Sequence, residues 1–294
     1  MKAAHLSPSE LILNPDGSIY HLNLLPEDIA DTIITVGDQD RVDKVSRFFD
    51  TVEVQKQKRE FKTHTGTYRG KRLTVLSTGI GPDNIDIVMN ELDALVNIDF
   101  NTRTIREEKN SLTIVRVGTS GSLQAEIPVG SFVAAEMGLG FDNLLHFYKE
   151  LKSINDVAFT EAFVKHTHWN PDNSKPYAIE GDASLREKFT KRNDFFEGVT
   201  ATNVGFYGPQ GRVLRLAVQD ADLNDKVASF NFGGKKITNF EMETAAIYGM
   251  ASLLDHKALS LNAIIANRAD GTFSEDPKKD ISTLISRTLR ILTE

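Results

Sequence analysis

Residues 73–96, LTVLSTGIGPDNIDIVMNELDALV, join a strand pattern, a glycine turn and a helix pattern in one continuous stretch. Leu73 to Ser77 is a short apolar run that two glycines close shortly afterwards. From Asn84 to Val96 the apolar side chains recur at helical spacing. A strand that passes through a glycine turn into a helix is the repeating unit of α/β folds built on parallel sheets.

The same alternation recurs on both sides of this stretch. Further strands are predicted at 32–36, 111–117, 131–136, 198–204 and 259–266, and helices at about 40–50, 241–254 and 280–292. We expect a single α/β domain with a central mixed, largely parallel twisted sheet flanked by helices. Residues 1–20 are expected to form an N-terminal extension and residues 21–294 the catalytic domain. The charged stretch 101–110 is expected to be a solvated insertion.

Composition narrows the function classes. The chain has 34 Lys and Arg against 41 Asp and Glu, a net charge of −7, and no cysteine. The acidic balance disfavours nucleic-acid binding, and the missing cysteine excludes disulfide scaffolds, iron–sulfur clusters and thiolate catalysis. No signal peptide and no run of roughly 18 apolar residues is present. We therefore expect a cytoplasmic protein with no membrane or nucleic-acid partner.

Two apparent ligand motifs fail on spacing. Gly79 and Gly81 lack the third glycine of a dinucleotide-binding turn, because position 84 is asparagine. His166 and His168 suggest a metal pair, but no third ligand lies nearby in the sequence, and a solvated loop is the preferred interpretation. We predict no metal site.

Three arginines stand at strand ends or in adjacent turns. Arg41 follows the turn that starts at Gly37, Arg59 lies at another turn, and Arg116 precedes Gly118 inside a β-branched strand. Burying an arginine in a strand is costly unless an anion compensates it. Guanidinium groups match phosphate oxygens two at a time, and glycine turns let backbone N–H groups approach the same anion. For any one arginine a structural ion pair is the alternative, but three together favour an oxyanion site.

Two later segments place polar groups among apolar ones. Residues 206–212, FYGPQGR, set an aromatic ring beside an amide and a guanidinium, the groups that a planar base edge with two carbonyls requires. Residues 239–244, NFEMET, place two carboxylates near a predicted helix start. A glutamate there either favours the helix dipole or accepts hydrogen bonds from two neighbouring sugar hydroxyls.

Seven short motifs, taken in order, resemble the uridine phosphorylase family of the nucleoside phosphorylase-I superfamily. The motifs are GDQDR (37–41), REF (59–61), STGIG (77–81), RVGTSG (116–121), FYGPQGR (206–212), EME (241–243) and NR (267–268). The resemblance runs from about Tyr20 to the C-terminus. It implies a pentosyltransferase that converts uridine and phosphate to uracil and ribose 1-phosphate, without a cofactor. It also implies a homo-oligomer, a dimer or a trimer of dimers, with shared active sites.

The resemblance further implies a role for each site residue. Phosphate would be bound by Gly37, Arg41, Arg116 and Thr119, with Arg59 from a neighbouring subunit. The base would be bound by Phe206, Gln210 and Arg212, with Arg268 on a lid. Ribose would be bound by Met242 and Glu243, with His21 reaching a neighbour's sugar 5′-hydroxyl. The catalytic groups would be Arg116, Arg212, Arg268 and Glu243.

Base specificity is the point at which alternatives remain. Purine-specific relatives carry an aspartate where this chain has Asn267 and Arg268, which favours a pyrimidine. Two departures from the family pattern are Val36 in place of proline and Phe240 in place of tyrosine. A purine nucleoside phosphorylase or nucleosidase on the same fold, or a catalytically silent nucleoside-binding protein, remains the alternative.

Overall fold

A mixed sheet of twelve strands forms the centre of the protein, and a separate two-stranded ribbon lies beside it. The computed structural model describes residues 5–192 and 194–294. The strands are β1 (Thr32–Val36), β2 (Thr51–Lys58), β3 (Phe61–Tyr68), β4 (Lys71–Ser77), β5 (Ile98–Asp99), β6 (Thr104–Ile105), β7 (Thr113–Ser122), β8 (Phe132–Gly140), β9 (Tyr177–Glu180), β10 (Phe196–Thr202), β11 (Asn231–Phe232), β12 (Lys235–Glu241), β13 (Lys257–Asn267) and β14 (Thr272–Phe273).

Helices cover both faces of the sheet. They are α1 (Gln39–Ser46), α2 (Pro82–Asn97), α3 (Leu151–Ile154), α4 (Val157–Thr167), α5 (Ala183–Thr190), α6 (Leu223–Ser229), α7 (Thr244–Leu253) and α8 (Pro277–Leu292). One apolar cluster packs α2 and α7 on the sheet, and a second packs α1, α5 and α8 on the other side. No helix in the described ranges is long and apolar enough to cross a membrane.

Five strands of the sheet close into a ring. The strand order is β11-β12-β10-β8-β13-β7-β1-β4-β3-β2, and β12 also pairs with β7. That extra pairing sets Asn239 opposite Ser122 and Phe240 opposite Gly121. As a result β7, β13, β8, β10 and β12 each have ring partners on two sides, and the ends of β7 and β12 lie next to each other.

The predicted α/β architecture is confirmed, with both parallel and antiparallel pairs in the central sheet. Each predicted strand is present within a few residues of its expected bounds. Several features differ: β9, α5 and α6 were not predicted, and β7 continues past its predicted end at Val117 to Ser122. The hairpin β2–β3 and the helix α4 were not predicted, and His166 lies in the last turn of α4 rather than in a loop. The predicted helix start at Glu241 was wrong, because that residue ends β12 and α7 begins at Thr244.

The N-terminal segment packs on the domain through an arginine of the charged insertion. Arg103 donates to the backbone carbonyls of Leu6 and Ser7, each at 2.9 Å, and also to that of Leu11. Leu11 and Ile19 are buried in the same cluster as α2. Of the expected extension, residues 1–4 lie outside the described residues.

Candidate active site

Arg116 of β7 is the centre of a buried ion network. Its Nη2 donates to Oε2 of Glu243 at 2.6 Å and lies 3.1 Å from Oε2 of Glu241. Its Nη1 donates to Oδ1 of Asn262 at 2.8 Å. Burial alone would lower the pKa of Arg116, but attraction from Glu241 and Glu243 raises it. The protein therefore compensates this charge itself, and burial of Arg116 alone is no argument for a bound phosphate.

Gly118 makes room for the Arg116 guanidinium. Residues 116 and 118 lie on the same face of β7, as alternate residues of a strand do. A Cβ atom built on Gly118 would lie 2.0 Å from Nη1 of Arg116 and 2.5 Å from its Cζ. The guanidinium therefore lies directly over the glycine, and only a residue without a side chain fits beneath it.

The two carboxylates of the network are held by backbone groups. Glu241 accepts from the N–H groups of Glu243 (2.8 Å) and Thr244 (2.9 Å), and from Oγ1 of Thr202 (2.7 Å). Glu243 accepts from the N–H of Gly81 at 2.9 Å. Glu241 thus satisfies donors that the start of α7 would otherwise leave open. Burial raises the pKa of Glu243, attraction from Arg116 opposes that shift, and repulsion from Glu241 adds to it.

Arg41 brings a second guanidinium to the same strand. Its Nη1 donates to the carbonyl of Val117 at 3.3 Å, and its Nη2 pairs with Asp38 at 2.9 Å. Asp38 also caps α1 by accepting from the N–H of Arg41. Burial lowers the pKa of Arg41, Asp38 opposes this, and repulsion from Arg116 adds to it. The two guanidinium groups are thus close enough to repel each other, an arrangement that an added anion relieves.

Gln210, Arg212 and Arg268 form a second cluster. Nη1 of Arg212 donates to Oε1 of Gln210 at 2.7 Å, and Nη1 of Arg268 donates to the Gln210 carbonyl at 2.6 Å. Nη2 of Arg268 lies 3.3 Å from the same Oε1. Gln210 is buried at the end of the short 3-10 helix Gly208–Gln210. Burial, helped by repulsion from Arg212, lowers the pKa of Arg268 to about 10.

Phe206 packs against Arg212. The Arg212 guanidinium lies 3.8 Å from the centre of the Phe206 ring, and the side chain of Phe206 remains half exposed. One face of the ring is therefore taken by the cation, so only the other face is available to a base. The expected stacking role of Phe206 stays a prediction.

The two clusters are joined by the β7–β12 pair. Arg268 lies 5.4 Å from the ring of Phe240, and Phe240 is opposite Gly121 of β7. The backbone N–H of Arg268 donates to the carbonyl of Ser122 at the end of β7. Arg116 therefore lies near the middle of β7, and Arg268 lies next to the end of that strand. Thr119 of β7 is between them.

The remaining predicted residues have different surroundings. Gly37 directly follows β1, and Met242, between Glu241 and Glu243 in the sequence, is half-buried. Arg59 is exposed at the β2–β3 turn with φ of 54°. His21 contacts Glu91 of α2, at 2.6 Å from Nδ1 to Oε1. Neither Arg59 nor His21 joins the two clusters within this chain.

Three contributors were missed by the sequence-based reasoning. Asn262 is a buried polar residue inside the apolar strand β13, and that contrast was a usable signal. Glu241 was seen only as one of two carboxylates near a helix. The N–H of Gly81 has no signal beyond its glycine turn, because a backbone donor leaves no trace in residue type.

A cavity of about 820 Å³ lies beside the loop at residues 207–212. Its walls include Phe141, Trp169, Tyr207, Arg212 and Leu214. Arg212 belongs to the second cluster, whereas Arg116, Glu243 and Gln210 do not line this cavity. Most of the charged groups described above therefore lie outside this cavity.

Comparisons with known proteins identify the family of this chain. The family model described as "Phosphorylase superfamily" matches residues 31–294. The chain is 28% identical to a uridine phosphorylase of Thermococcus kodakarensis over 95% of this chain and 88% of that one. It is 26% identical to a DeoD-type purine nucleoside phosphorylase of a Thermoanaerobacter species, over 92% of this chain and 98% of that one. The structure superposes with TM-score 0.85 on a Trypanosoma brucei nucleoside phosphorylase reported to show uridine phosphorylase activity, at 26% identity, over 96% of this chain and 98% of that one.

Proposed function

The chain belongs to the phosphorylase superfamily, and from that premise we propose that it cleaves uridine with phosphate to give uracil and ribose 1-phosphate. The coarser activity is a nucleoside phosphorylase reaction, a pentosyl transfer from a base to phosphate. What this proposal adds is the identity of the base and the role of each residue.

The observation that carries the choice of base is the Gln210–Arg212–Arg268 cluster. Both guanidinium groups donate to Gln210, at its side-chain Oε1 or its backbone carbonyl, which leaves the amide Nε2 as a donor for a ligand. Uracil has two carbonyl oxygens, and these gain negative charge as the bond between the base nitrogen and the sugar breaks. A fixed amide donor beside two cations complements that edge, and no acidic side chain of this cluster offers an acceptor to a purine N7–H.

The phosphate side is assigned to Arg41 and Arg116, with Gly37 and Thr119 on the adjoining backbone. An oxygen of phosphate attacks C1′ while the bond from C1′ to the base nitrogen breaks. The electron pair of the broken bond leaves on uracil, which takes up the proton released by the hydrogen phosphate. Holding phosphate and sugar in line contributes about 7–11 kcal/mol by general experience with oriented reactants.

Glu243 is assigned to the ribose, with Met242 against the sugar. Its carboxylate is fixed by Arg116 and the N–H of Gly81, so it can accept from two neighbouring hydroxyls without moving. The developing positive charge on the sugar lies between this carboxylate and the incoming dianion, as in other glycosyl transfers. Arg212 and Arg268 stabilise the charge that collects on the leaving base.

We also assign His21 and Arg59 to the site of a neighbouring subunit in a homo-oligomer. Both lie on one surface, because Lys58 beside Arg59 donates to the carbonyl of Tyr20 beside His21, at 2.5 Å. A dimer is the smallest assembly that completes such a site. Sedimentation with and without phosphate measures the assembly directly.

The deciding experiment is an absorbance assay of uridine cleavage with and without phosphate, run beside inosine. We expect phosphate-dependent loss of uridine and little cleavage of inosine. Preferential cleavage of inosine would instead support a purine nucleoside phosphorylase, the alternative favoured by the DeoD-type relative. Binding of uridine with no turnover under any phosphate concentration would identify a silent binding protein.

A further inference from the structure

The Glu91 carboxylate accepts hydrogen bonds from three donors, two on His21 and one on Leu22. Oε1 of Glu91 lies 2.6 Å from the ring Nδ1 of His21, and both carboxylate oxygens lie 3.0 Å from the His21 backbone nitrogen. Oε2 also accepts from the N–H of Leu22 at 2.8 Å. The Glu91 side chain is 12% exposed and that of His21 is 26% exposed. One carboxylate therefore fixes both the backbone and the ring of the histidine.

Glu91 lies on a long, well-packed helix, whereas His21 lies outside any helix or strand. Glu91 lies in α2, a 16-residue helix whose Val88 and Leu92 are fully buried. His21 lies in an irregular stretch between Ile19 and the short 3-10 helix Pro26–Asp28. Glu91 therefore fixes the hydrogen-bonded side of the ring, which also packs edge-on against Tyr20 and Phe61, with ring centroids 4.7 and 6.4 Å apart.

The contact also decides which ring nitrogen carries the proton. A carboxylate only accepts hydrogen bonds, so the Nδ1 atom that faces it carries a hydrogen, which in the neutral ring leaves Nε2 without one. The other nitrogen, Nε2, is then an acceptor. Within the described ranges, Nε2 of His21 has no hydrogen-bond partner in the chain. A carboxylate behind a histidine sets the tautomer in the same way at many metal and catalytic sites.

We propose that Glu91 is a positioning residue that presents Nε2 of His21 as a fixed acceptor for the sugar 5′-hydroxyl of a nucleoside bound in the neighbouring subunit. This inference rests on the proposed function and on the assignment of His21 across the subunit boundary. It makes the Glu91–His21 pair a determinant of specificity for 5′-hydroxy over 5′-deoxy nucleosides. A site built to bond a hydroxyl discriminates against the analogue that lacks it.

A purely structural role for Glu91 makes a different prediction. If the carboxylate only anchors the chain at residues 21–22, its loss affects all substrates equally. If it acts through His21, its loss affects only substrates that carry the 5′-hydroxyl. The ratio of kcat/KM for uridine to that for 5′-deoxyuridine therefore separates the two roles.

The test compares His21→Ala, Glu91→Gln, the double variant, and Asp86→Asn as a control on the same helix. Asp86 accepts from the Tyr148 hydroxyl and makes no contact with His21. We expect His21→Ala to lower kcat/KM for uridine about tenfold and to leave 5′-deoxyuridine within about twofold. Glu91→Gln should lower the uridine value several-fold and the 5′-deoxyuridine value little, because an amide donates to Nδ1 and moves the proton to Nε2. The double variant should match His21→Ala, and the control should match the wild type.

Equal losses on both substrates in Glu91→Gln, or a further fall in the ratio on the His21→Ala background, would overturn the proposal. A second readout does not need activity. In protein labelled with ¹⁵N-histidine, the ring of His21 should show a protonated Nδ1 and a bare Nε2, and Glu91→Gln should reverse them. A wild-type ring protonated at Nε2 contradicts the proposal even if the variant fails to fold.

The proposed function can fail separately. If the wild type cleaves inosine and not uridine, the choice of base is wrong, and the same ratio measured with inosine and 5′-deoxyinosine still tests Glu91. If no nucleoside is cleaved, the proposed activity is wrong and the tautomer measurement decides the inference.

Discussion

Arg116 and Glu243 are bonded to each other at 2.6 Å, although the first is assigned to phosphate and the second to ribose. The two halves of the reaction therefore share one ion pair. Phosphate bound to Arg116 would weaken the attraction between Arg116 and Glu243. Sugar hydroxyls that donate to Glu243 would weaken the same attraction from the other side. Binding of the two substrates is expected to be mutually dependent, because each modifies the pair that the other uses.

Arg116→Ala tests the phosphate assignment. We expect it to remove saturation by phosphate and to lower kcat by at least about 10², since a preorganised cation of this kind typically contributes that much. Steady-state rates over a range of phosphate concentrations measure this. Unchanged phosphate saturation would place the anion elsewhere.

The stability of the Arg116→Ala variant should depend on pH. Removing Arg116 leaves Glu241 and Glu243 buried together, so the pKa of Glu243, already raised by burial, rises further. A carboxyl with a raised pKa in the folded state favours folding when protonated. The stability of the variant should therefore decline as pH rises from about 4.5, the ordinary value, to the folded pKa. Thermal unfolding at pH 5 and pH 8 checks this, and an equal loss at both would contradict it.

Gly118→Ala should disable the site without touching a polar group. The added Cβ would lie 2.0 Å from Nη1 of Arg116, so the guanidinium must leave its place between Glu243 and Asn262. We expect a fall in kcat/KM of about 10², since positioning carries much of the rate. Gly233→Ala, in the exposed turn between β11 and β12, is the control, because a Cβ there meets nothing within 4 Å. Similar activity in both variants would show that Arg116 need not lie over Gly118.

Arg212→Ala tests the base assignment. It should lower kcat/KM for uridine by at least about tenfold, because the charge on the leaving base loses a donor. Arg215→Ala, an exposed arginine three residues further along the chain, is the control and should change little. Circular dichroism confirms that the fold is intact. Near-normal uridine turnover would remove Arg212 from the base pocket.

Arg268→Met should stabilise the protein while impairing it. Burial and Arg212 lower the pKa of Arg268 to about 10, so its charged form is disfavoured in the folded state at neutral pH. Since the side chain is partly exposed, we expect a gain of only about 1 kcal/mol, or about 2 °C in Tm at pH 7. The gain should shrink as pH rises above about 10, where the folded-state penalty is relieved. Uridine turnover should fall, and a variant that is both less stable and fully active would contradict the assignment.

The sequence predicted the strands near the site well because their signals are local. Apolar runs closed by glycines marked β1, β4 and β7, and the structure has them within two residues or so at their starts. Arg116 and Arg41 stood out because a charge beside a buried strand needs an explanation. Of the site residues carried over from the family resemblance, Arg116 and Thr119 lie within β7 itself and Arg41 lies in α1, whereas Gly37, Glu243 and Arg268 follow strands within two residues.

What the sequence could not give are relationships between distant segments. The pairing of β12 with β7 brings Glu241 to Arg116 across more than a hundred residues, and no local pattern encodes it. That pairing explains why Arg116 is already neutralised by the protein. The hairpin β2–β3 was missed because β2 has only two apolar residues, Val52 and Val54, among polar and charged ones, so its strand pattern has little apolar contrast.

The closed ring of strands also determines which part of the protein unfolds first. Strands that carry Arg116, Glu241 and Asn262 are bonded on both sides, so a shift of register in any of them requires the ring to open. In the described ranges β2 bonds only to β3 and has a free outer edge. Mild denaturant should therefore fray the hairpin that ends at Arg59 while the ring is still protected from hydrogen exchange. If Arg59 completes the site of a neighbouring subunit, as proposed, that contribution would be lost before the ion network around Arg116 unfolds.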